Sequence, residues 1–202
     1  MCIRERVYGE LFGAQLIKIN YKANLKLNVE KLYKSINEKV VLVALANPVS
    51  PIGDFISYKE LEKIAEKCHE FSIPLLIDEA YFEFSPGSSI GLIDQYDNVA
   101  ILRTFSKAHG AAGMRVGYVL ANSQLIGILS KWRPMYEINQ LGVKYAIHSL
   151  KNFKLTSKYA KSVIQEREKI INLLDAQNVD VIPSHTNWLH MHFRDKNNEA
   201  LR

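Results

Sequence analysis

The sequence has no apolar run long enough to cross a membrane. Its longest uninterrupted apolar stretch covers residues 40–46, whereas a membrane-spanning helix needs about 20 residues. No basic segment followed by an apolar one opens the chain, as a secretory signal would. The two cysteines, Cys2 and Cys68, offer neither a disulfide framework nor the spacing of metal ligands. These absences predict a cytoplasmic protein with no membrane partner and no metal site.

The sequence also has little excess of charge of one sign. The 26 lysines and arginines exceed the 21 acidic residues by only five, and the excess is spread along all 202 residues. Nucleic-acid-binding proteins usually concentrate basic residues in a run or on one face, so we expect no nucleic-acid partner. In the densest charge cluster, residues 166–169, acids and bases alternate. We interpret this cluster as a solvent-exposed helix face.

Helical and strand-like patterns alternate through the first 121 residues. Strands are predicted at residues 15–19, 40–46, 75–78, 99–102 and 116–121, and helices end near residue 11 and cover residues 27–36. Residues 40–46 read as a strand buried on both faces of a parallel sheet. Ser57 and Glu60 form a capping box, and the helix that follows has an apolar face made of Leu61, Ile64, Ala65, Cys68 and Phe71. This alternation predicts an α/β fold with a mainly parallel sheet flanked by helices.

The pattern changes after about residue 150. One long amphipathic helix is predicted at residues 154–174, followed by short strands at 179–182 and 188–193. We therefore predict a large domain over residues 1–150 and part of a small α+β domain over residues 151–202.

Polar side chains gather where the predicted strands end. Asn47, Asp78 and Thr104 each follow or end a strand, and open α/β sheets bind ligands at that edge. A nicotinamide-binding fold is disfavoured, because no Gly-x-Gly-x-x-Gly follows an early strand and Gly110-x-x-Gly113-x-x-x-Gly117 has the wrong spacing.

Three motifs follow one another in this region. They are Asn47-Pro48-x-x-Pro51-x-Gly53, Asp78-Glu79-Ala80-Tyr81 and Ser106-Lys107-x-x-Gly110-x-x-Gly113-x-Arg115-x-Gly117-Tyr118. Asn47, Asp78, Lys107 and Arg115 are separated by 31, 29 and 8 residues. Each motif alone is weak, but the ordered set is specific. It resembles the signature set of fold-type I, pyridoxal 5'-phosphate (PLP)-dependent aminotransferases, in particular the histidinol-phosphate aminotransferase-like branch, and the resemblance runs from about residue 5 to the end.

The resemblance implies that Lys107 is the catalytic residue. It would form a Schiff base with the cofactor and then move a proton between the substrate Cα and the cofactor C4'. A neutral amine is required for this, and we expect Lys107 to be shielded between a buried strand and a glycine-rich turn. Asp78 would pair with the pyridinium nitrogen of PLP, which makes the ring a good electron sink.

The remaining cofactor contacts are also implied by the resemblance. Ala80 would pack against the ring face, while Tyr81 and Asn47 would bind the phenolic oxygen. Thr104, Ser106 and Arg115 would hold the phosphate, since a guanidinium suits a phosphate in a bidentate contact.

Several other residues match the family less specifically. His109 stands where an aromatic or aliphatic residue is common, and we interpret it as a packing variation. Tyr136 and Asn139 resemble the segment on the substrate side, and Asn187-Trp188 resembles the entry to the small domain, although core or turn roles fit these residues equally well. His190 and His192 read as surface residues.

The implied reaction is amino-group transfer between an amino acid or amino-phosphate and a 2-oxo acid, in a homodimer. Two alternatives stay open: a PLP-dependent amino-acid-phosphate decarboxylase of the same fold, and a catalytically incomplete remnant. Family members are longer, so the sequence reads as an internal piece without the N-terminal arm, one phosphate loop and the arginine that clamps the substrate. We expect this chain alone to show no meaningful turnover.

Overall fold

The computed structural model describes residues 3–133, 135, 138–177 and 179–192. No helix in these ranges is both long and apolar enough to span a membrane. The α-helices are α1 (Ile3–Leu11), α2 (Val29–Ser35), α3 (Tyr58–Glu70), α4 (Ser123–Ser130), α5 (Gln140–Lys151) and α6 (Phe153–Asp175). The strands are β1 (Val43–Ala46), β2 (Leu75–Asp78), β3 (Val99–Thr104), β4 (Gly117–Ala121), β5 (Asp180–Ile182) and β6 (His190–His192). Single 3₁₀ turns form at Phe82–Phe84, Ile90–Leu92 and Ala112–Met114.

Strands β1 to β4 form one sheet in sequence order. The first three strands run parallel, and β4 returns antiparallel to β3. The register pairs Ala46 with Asp78 and Asp78 with Leu102, so the carboxyl ends of β1, β2 and β3 share one edge of the sheet. The predicted mainly parallel α/β sheet is confirmed.

Helix α3 packs its apolar face onto this sheet. Its capping box is formed, with the Ser57 side chain accepting from Glu60 N and the Glu60 side chain accepting from Ser57 N. Leu61, Ile64, Ala65 and Cys68 are buried in one core with Leu75, Ile77, Val99 and Ile101 of the sheet. Phe71 was predicted on the same face, but it is 39% exposed, because the helix ends at Glu70 and Phe71 is its C-cap.

Two predicted strands differ from the structure. Residues 15–19 belong to no strand among the described residues, and Ile17 is 63% exposed; an extended segment becomes a strand only where a neighbour completes its hydrogen bonds. The strand predicted at 40–46 begins only at Val43, and Val41 is 75% exposed. Within β1, Val43 is buried and Ala44 is exposed. Adjacent strand residues point to opposite faces, so burial on both faces was the wrong expectation there.

The C-terminal part forms α6 and a separate antiparallel pair, β5 and β6. Here the interpretation of residues 166–169 as a solvated face is wrong for one residue. Arg167 is only 8% exposed, and its Nη1 donates to the Thr186 O at 2.8 Å and the Phe84 O at 3.4 Å. The neighbouring Lys169–Glu166 pair is exposed, as expected. Arg167 is buried because α6 packs against the 3₁₀ turn at Phe82–Phe84.

Candidate active site

The candidate site lies where the three parallel strands end. The Asn47 N donates to the Asp78 O at 2.9 Å, and the Glu79 N donates to the Leu102 O at 2.8 Å. These backbone bonds continue the parallel ladder by one residue beyond each strand. The loop after β3 starts at the same edge, and Thr104 pairs with Gly117 of β4. Strand order alone therefore brings the predicted site segments together.

Lys107 faces the ring of Tyr81 at this edge. Its Nζ lies 4.9 Å from the centroid of that ring. Tyr81 is 8% exposed and meets Trp188 edge to face, with the ring centroids 4.4 Å apart. Lys107 itself is exposed, contrary to the expected shielding, because it lies in a loop beyond the end of β3 and outside the strand ladder.

Asp78 is half-buried at the end of β2. Its Oδ1 accepts a hydrogen bond from the Ala80 N at 2.9 Å, which holds the carboxyl group against the turn. The 3₁₀ turn that follows has Tyr81 as its N-cap residue, without a side-chain cap, so Asp78 is not a helix cap. Ala80 is partly buried beside a small apolar cluster that contains Tyr81, Phe84, Ala108 and Ala160.

Asn47 is held firmly by backbone groups. It is 2% exposed, its Nδ2 donates to the Ile56 O at 3.0 Å, and its Oδ1 accepts from the Ile56 N at 2.8 Å. These two bonds close the loop that begins with the Asn-Pro motif. One Nδ2 hydrogen is not used in them, because an amide nitrogen carries two.

Thr104, Ser106 and Arg115 lie at the neighbouring part of the edge. Thr104 Oγ1 accepts from the Ser106 N at 3.1 Å, which folds the start of the lysine loop. Arg115 has a left-handed backbone with a φ of 55°, is exposed, and donates from Nη1 to the Ala112 O at 3.0 Å. A Cβ at Gly117 would lie 2.8 Å from the Arg103 O, so glycine is required there by strand pairing.

Glu79 is a residue to which the sequence assigned no role. Its side chain is 1% exposed and accepts from Arg103 Nη2 at 2.9 Å, from Ser88 Oγ and from the Ser89 N. Arg103 also lies over the Phe82 ring, 3.7 Å from the centroid. One signal could have indicated this burial: adjacent strand residues point to opposite faces, so Asp78 and Glu79 cannot share one environment.

His109 is more than a packing variation. It is 5% exposed, and its Nε2 lies 3.2 Å from Glu83 Oε1. Sequence reasoning missed Glu83, since nothing local links it to a histidine 26 positions away. No cluster of three potential metal ligands occurs among the described residues.

The Asn-Pro loop also meets the segment before β6. The His185 N donates to the Gly53 O at 2.8 Å, and Trp188 Nε1 donates to the Pro51 O at 2.9 Å. A Cβ at Gly53 would lie 2.3 Å from Ser184 Oγ, so this contact needs a glycine. His190, predicted as a surface residue, also contacts the Pro51 O through Nε2. Burial, followed by the positive charges of Arg167 and Lys26, lowers the pKa of His185.

The structure describes some of the residues that match the family less specifically. Asn139 is the N-cap of α5, where its Oδ1 accepts from the Gly142 N at 2.7 Å and its Nδ2 donates to the Met114 O at 3.1 Å. This is one of the turn roles left open above. Asn187 is exposed beside Trp188. Tyr136 and the side chain of His192 lie outside the described residues.

Comparisons of the sequence and of the structure with known proteins find similar relatives. Residues 7–202 match the family Aminotransferase class I and II. Histidinol-phosphate aminotransferase of Caldanaerobacter subterraneus subsp. tengcongensis is 34% identical over 198 residues, which are 97% of this chain and 55% of the relative. The crystal structure of histidinol-phosphate aminotransferase from Sinorhizobium meliloti in complex with pyridoxal-5'-phosphate superposes with a TM-score of 0.82 at 27% identity, over 93% of this chain and 51% of that one.

A decarboxylase from Sulfurospirillum multivorans is also similar, with a TM-score of 0.75 and 27% identity over 89% of this chain and 54% of that one. The chain spans about half the length of the curated relatives that it matches. The family match covers nearly all of the chain, from residue 7 to residue 202. The chain therefore belongs to the aminotransferase class I and II family.

Proposed function

We propose that the protein carrying this sequence is a PLP-dependent aminotransferase, which transfers an amino group between an amino acid or amino-phosphate similar to histidinol phosphate and a 2-oxo acid. The observation that carries the proposal is the convergence of Asn47, Asp78, Tyr81 and Lys107 at one sheet edge. Curated relatives of the chain are histidinol-phosphate aminotransferases, and this supports the amino-phosphate as the donor.

The donor set at the edge fits PLP group by group. A primary amine, Lys107, suits an aldehyde, and a carboxylate, Asp78, suits a pyridine nitrogen. The phenol of Tyr81 and the second amide hydrogen of Asn47 suit a phenolic oxygen. Arg115, which donates from only one of its nitrogens to the protein among the described residues, suits a phosphate.

PLP supplies an electron sink for the reacting carbon of the substrate. The chain's own residues do the rest. Lys107 Nζ would hold the cofactor and, as a free amine, would move a proton to and from the substrate Cα. Asp78 would pair with the ring nitrogen, and the hydrogen bond that its Oδ1 accepts from the Ala80 N orients the carboxyl group. Tyr81 and Asn47 would orient the ring, and the contact of Tyr81 with Trp188 holds the phenol in place.

We also propose that the whole protein is a cytoplasmic homodimer that contains a large and a small domain divided near residue 150. A buried, free Cys68 fits a reducing compartment. Separate sheets before and after residue 150 support the domain division.

The test is to load the protein with PLP, reduce it with borohydride and map the modified lysine by mass spectrometry. We expect the label on Lys107, its loss in Lys107→Ala, and its retention in Lys161→Ala, an exposed lysine of α6 that serves as the control. A label on another lysine, or no label, would overturn the assignment.

The reaction type needs a second measurement with the full-length protein. Histidinol phosphate and a phosphorylated amino acid are supplied with a 2-oxo acid, and the products are analysed. Formation of a new oxo compound with consumption of the 2-oxo acid supports transamination. Release of carbon dioxide without consumption of the 2-oxo acid would favour the decarboxylase, and a labelled but inactive protein would favour the remnant.

A further inference from the structure

The Glu83 carboxylate and the His109 imidazole form a buried contact beside the candidate site. Their side chains are 2% and 0% exposed, and His109 Nε2 lies 3.2 Å from Glu83 Oε1. Neither carboxylate oxygen of Glu83 has a hydrogen-bond partner among the described residues. A buried carboxylate without a compensating charge is costly. The His109 imidazole is the group placed to compensate this carboxylate, since its Nε2 likewise has no hydrogen-bond partner among the described residues.

Contacts on the other side hold the imidazole in place. His109 Nδ1 lies 2.6 Å from Ser149 Oγ and 3.2 Å from Thr156 Oγ1. A hydroxyl group can either donate or accept a hydrogen bond, so Nδ1 has a partner whether or not it carries a hydrogen. The hydroxyl of Tyr145 donates to the His109 O. Helices α5 and α6 thus both bind this one residue.

The contact joins the two segments that carry Tyr81 and Lys107. Glu83 lies two residues after Tyr81 in the 3₁₀ turn, and His109 lies two residues after Lys107 in the loop. Between these two segments, Lys107 Nζ lies 4.9 Å from the centroid of the Tyr81 ring. We propose that Glu83 and His109 form an ionic clamp that sets the position of Lys107 relative to Tyr81. His109 is then a positioning residue, and this role rests on the function proposed above.

The clamp is tested first without cofactor, by hydrogen–deuterium exchange. The Ala111 N donates to the Phe105 O, and the Phe84 N donates to the Tyr81 O, so one amide in each segment reports local opening. In Glu83→Gln, we expect exchange at Ala111, on the opposite segment, to rise about tenfold or more, as for a local opening made easier. His109→Phe should give the same rise at Phe84, because Glu83 is left uncompensated.

The double variant Glu83→Leu/His109→Phe replaces the ionic contact by an apolar one. Such replacements can preserve stability, so exchange should return to within about threefold of the wild-type rate. Lys26→Met is the control. It leaves the buried Asp54 without the Lys26 Nζ at 2.6 Å, and so destabilises the protein at a place outside the loop that carries Lys107. Unchanged exchange at Ala111 in Glu83→Gln, or an equal rise in Lys26→Met, would overturn the clamp.

A second measurement follows capture of PLP by Lys107, as the borohydride-trapped label against time. Misplacing a reacting group by about 1 Å can cost roughly a hundredfold in rate, so Glu83→Gln should slow capture at least tenfold, and the double variant should recover most of it. Altered exchange with no label on wild-type Lys107 would refute the proposed function and keep the clamp. A normal label formed at the wild-type rate in Glu83→Gln would refute the positioning role and keep the proposed function.

Discussion

Substitution of Glu79 by glutamine tests how strongly a buried ion pair holds the turn after β2. The Glu79 side chain is 1% exposed and that of Arg103 is 11% exposed. Oε2 of Glu79 accepts from Nε of Arg103 at 3.1 Å and from Nη2 at 2.9 Å. Glutamine keeps the size and can still accept from the Ser89 N, but it removes the charge that compensates the buried guanidinium.

Breaking a buried pair by removing one partner costs about 3–5 kcal/mol. Arg103 keeps its contacts with Ser88 Oγ and the Phe82 ring, so we expect Glu79→Gln to lower the free energy of unfolding by about 3 kcal/mol, at the lower end of that range. The control is Glu166→Gln, whose partner Lys169 lies at 2.7 Å with both side chains more than 60% exposed. An exposed pair contributes little, so this loss should stay below about 0.5 kcal/mol.

Both losses are measured by urea unfolding followed by tryptophan fluorescence and linear extrapolation. The double variant Glu79→Gln/Arg103→Met removes the uncompensated charge as well. It should be more stable than the sum of the two single losses predicts, since the two residues interact directly. Equal losses in Glu79→Gln and Glu166→Gln would refute the argument, because burial would then have no effect on the energy of the pair.

Two further predictions concern groups with shifted pKa values. Burial raises the pKa of the Cys68 thiol to about 12, against an ordinary value of 9.0. Because the thiolate is the reactive form, iodoacetamide at pH 8 should modify Cys68 about a thousandfold more slowly in the native protein than in urea. Equal rates of modification, measured by mass spectrometry, would contradict this. The pKa of His185 is lowered from 6.5, so near that pH the unfolded chain binds a proton that the folded chain does not. The free energy of unfolding should therefore fall as the pH drops below about 6.5, and this fall should be smaller in His185→Gln. The free energies of both proteins are measured by urea unfolding between pH 7.5 and 5. If they fall in parallel, His185 does not cause the pH dependence.

Features that depend on neighbouring residues could be predicted from the sequence. The capping box of Ser57 and Glu60 needs only residues three positions apart, and the apolar period of α3 needs only its own turn geometry. Strand β2 is a short apolar segment that ends at Asp78. Because parallel strands share the direction of their carboxyl ends, the order of the motifs was enough to predict that Asn47, Asp78 and the lysine loop meet at one edge.

Strand pairing was predicted less well where it depends on a distant partner. Residues 15–19 have a strand-like composition but no partner strand among the described residues. Val41 continues the apolar run of β1, yet it lies before the paired residues and is largely exposed. An apolar side chain favours burial, but it does not determine whether another element is present to cover it.

The burial of charge was decided by the tertiary structure alone. Composition and spacing determined the α/β class, the sheet edge and the set of polar groups at that edge, because helix and strand preferences and their order are written along the chain. Each buried side chain has a polar partner: Arg167 contacts Thr186, Glu79 contacts Arg103, and His109 contacts Glu83 and Ser149. These partners are 19 to 40 positions apart in the sequence. A charged side chain can leave water only when such a partner compensates it, and the partner is brought near only by the packing of whole helices and turns.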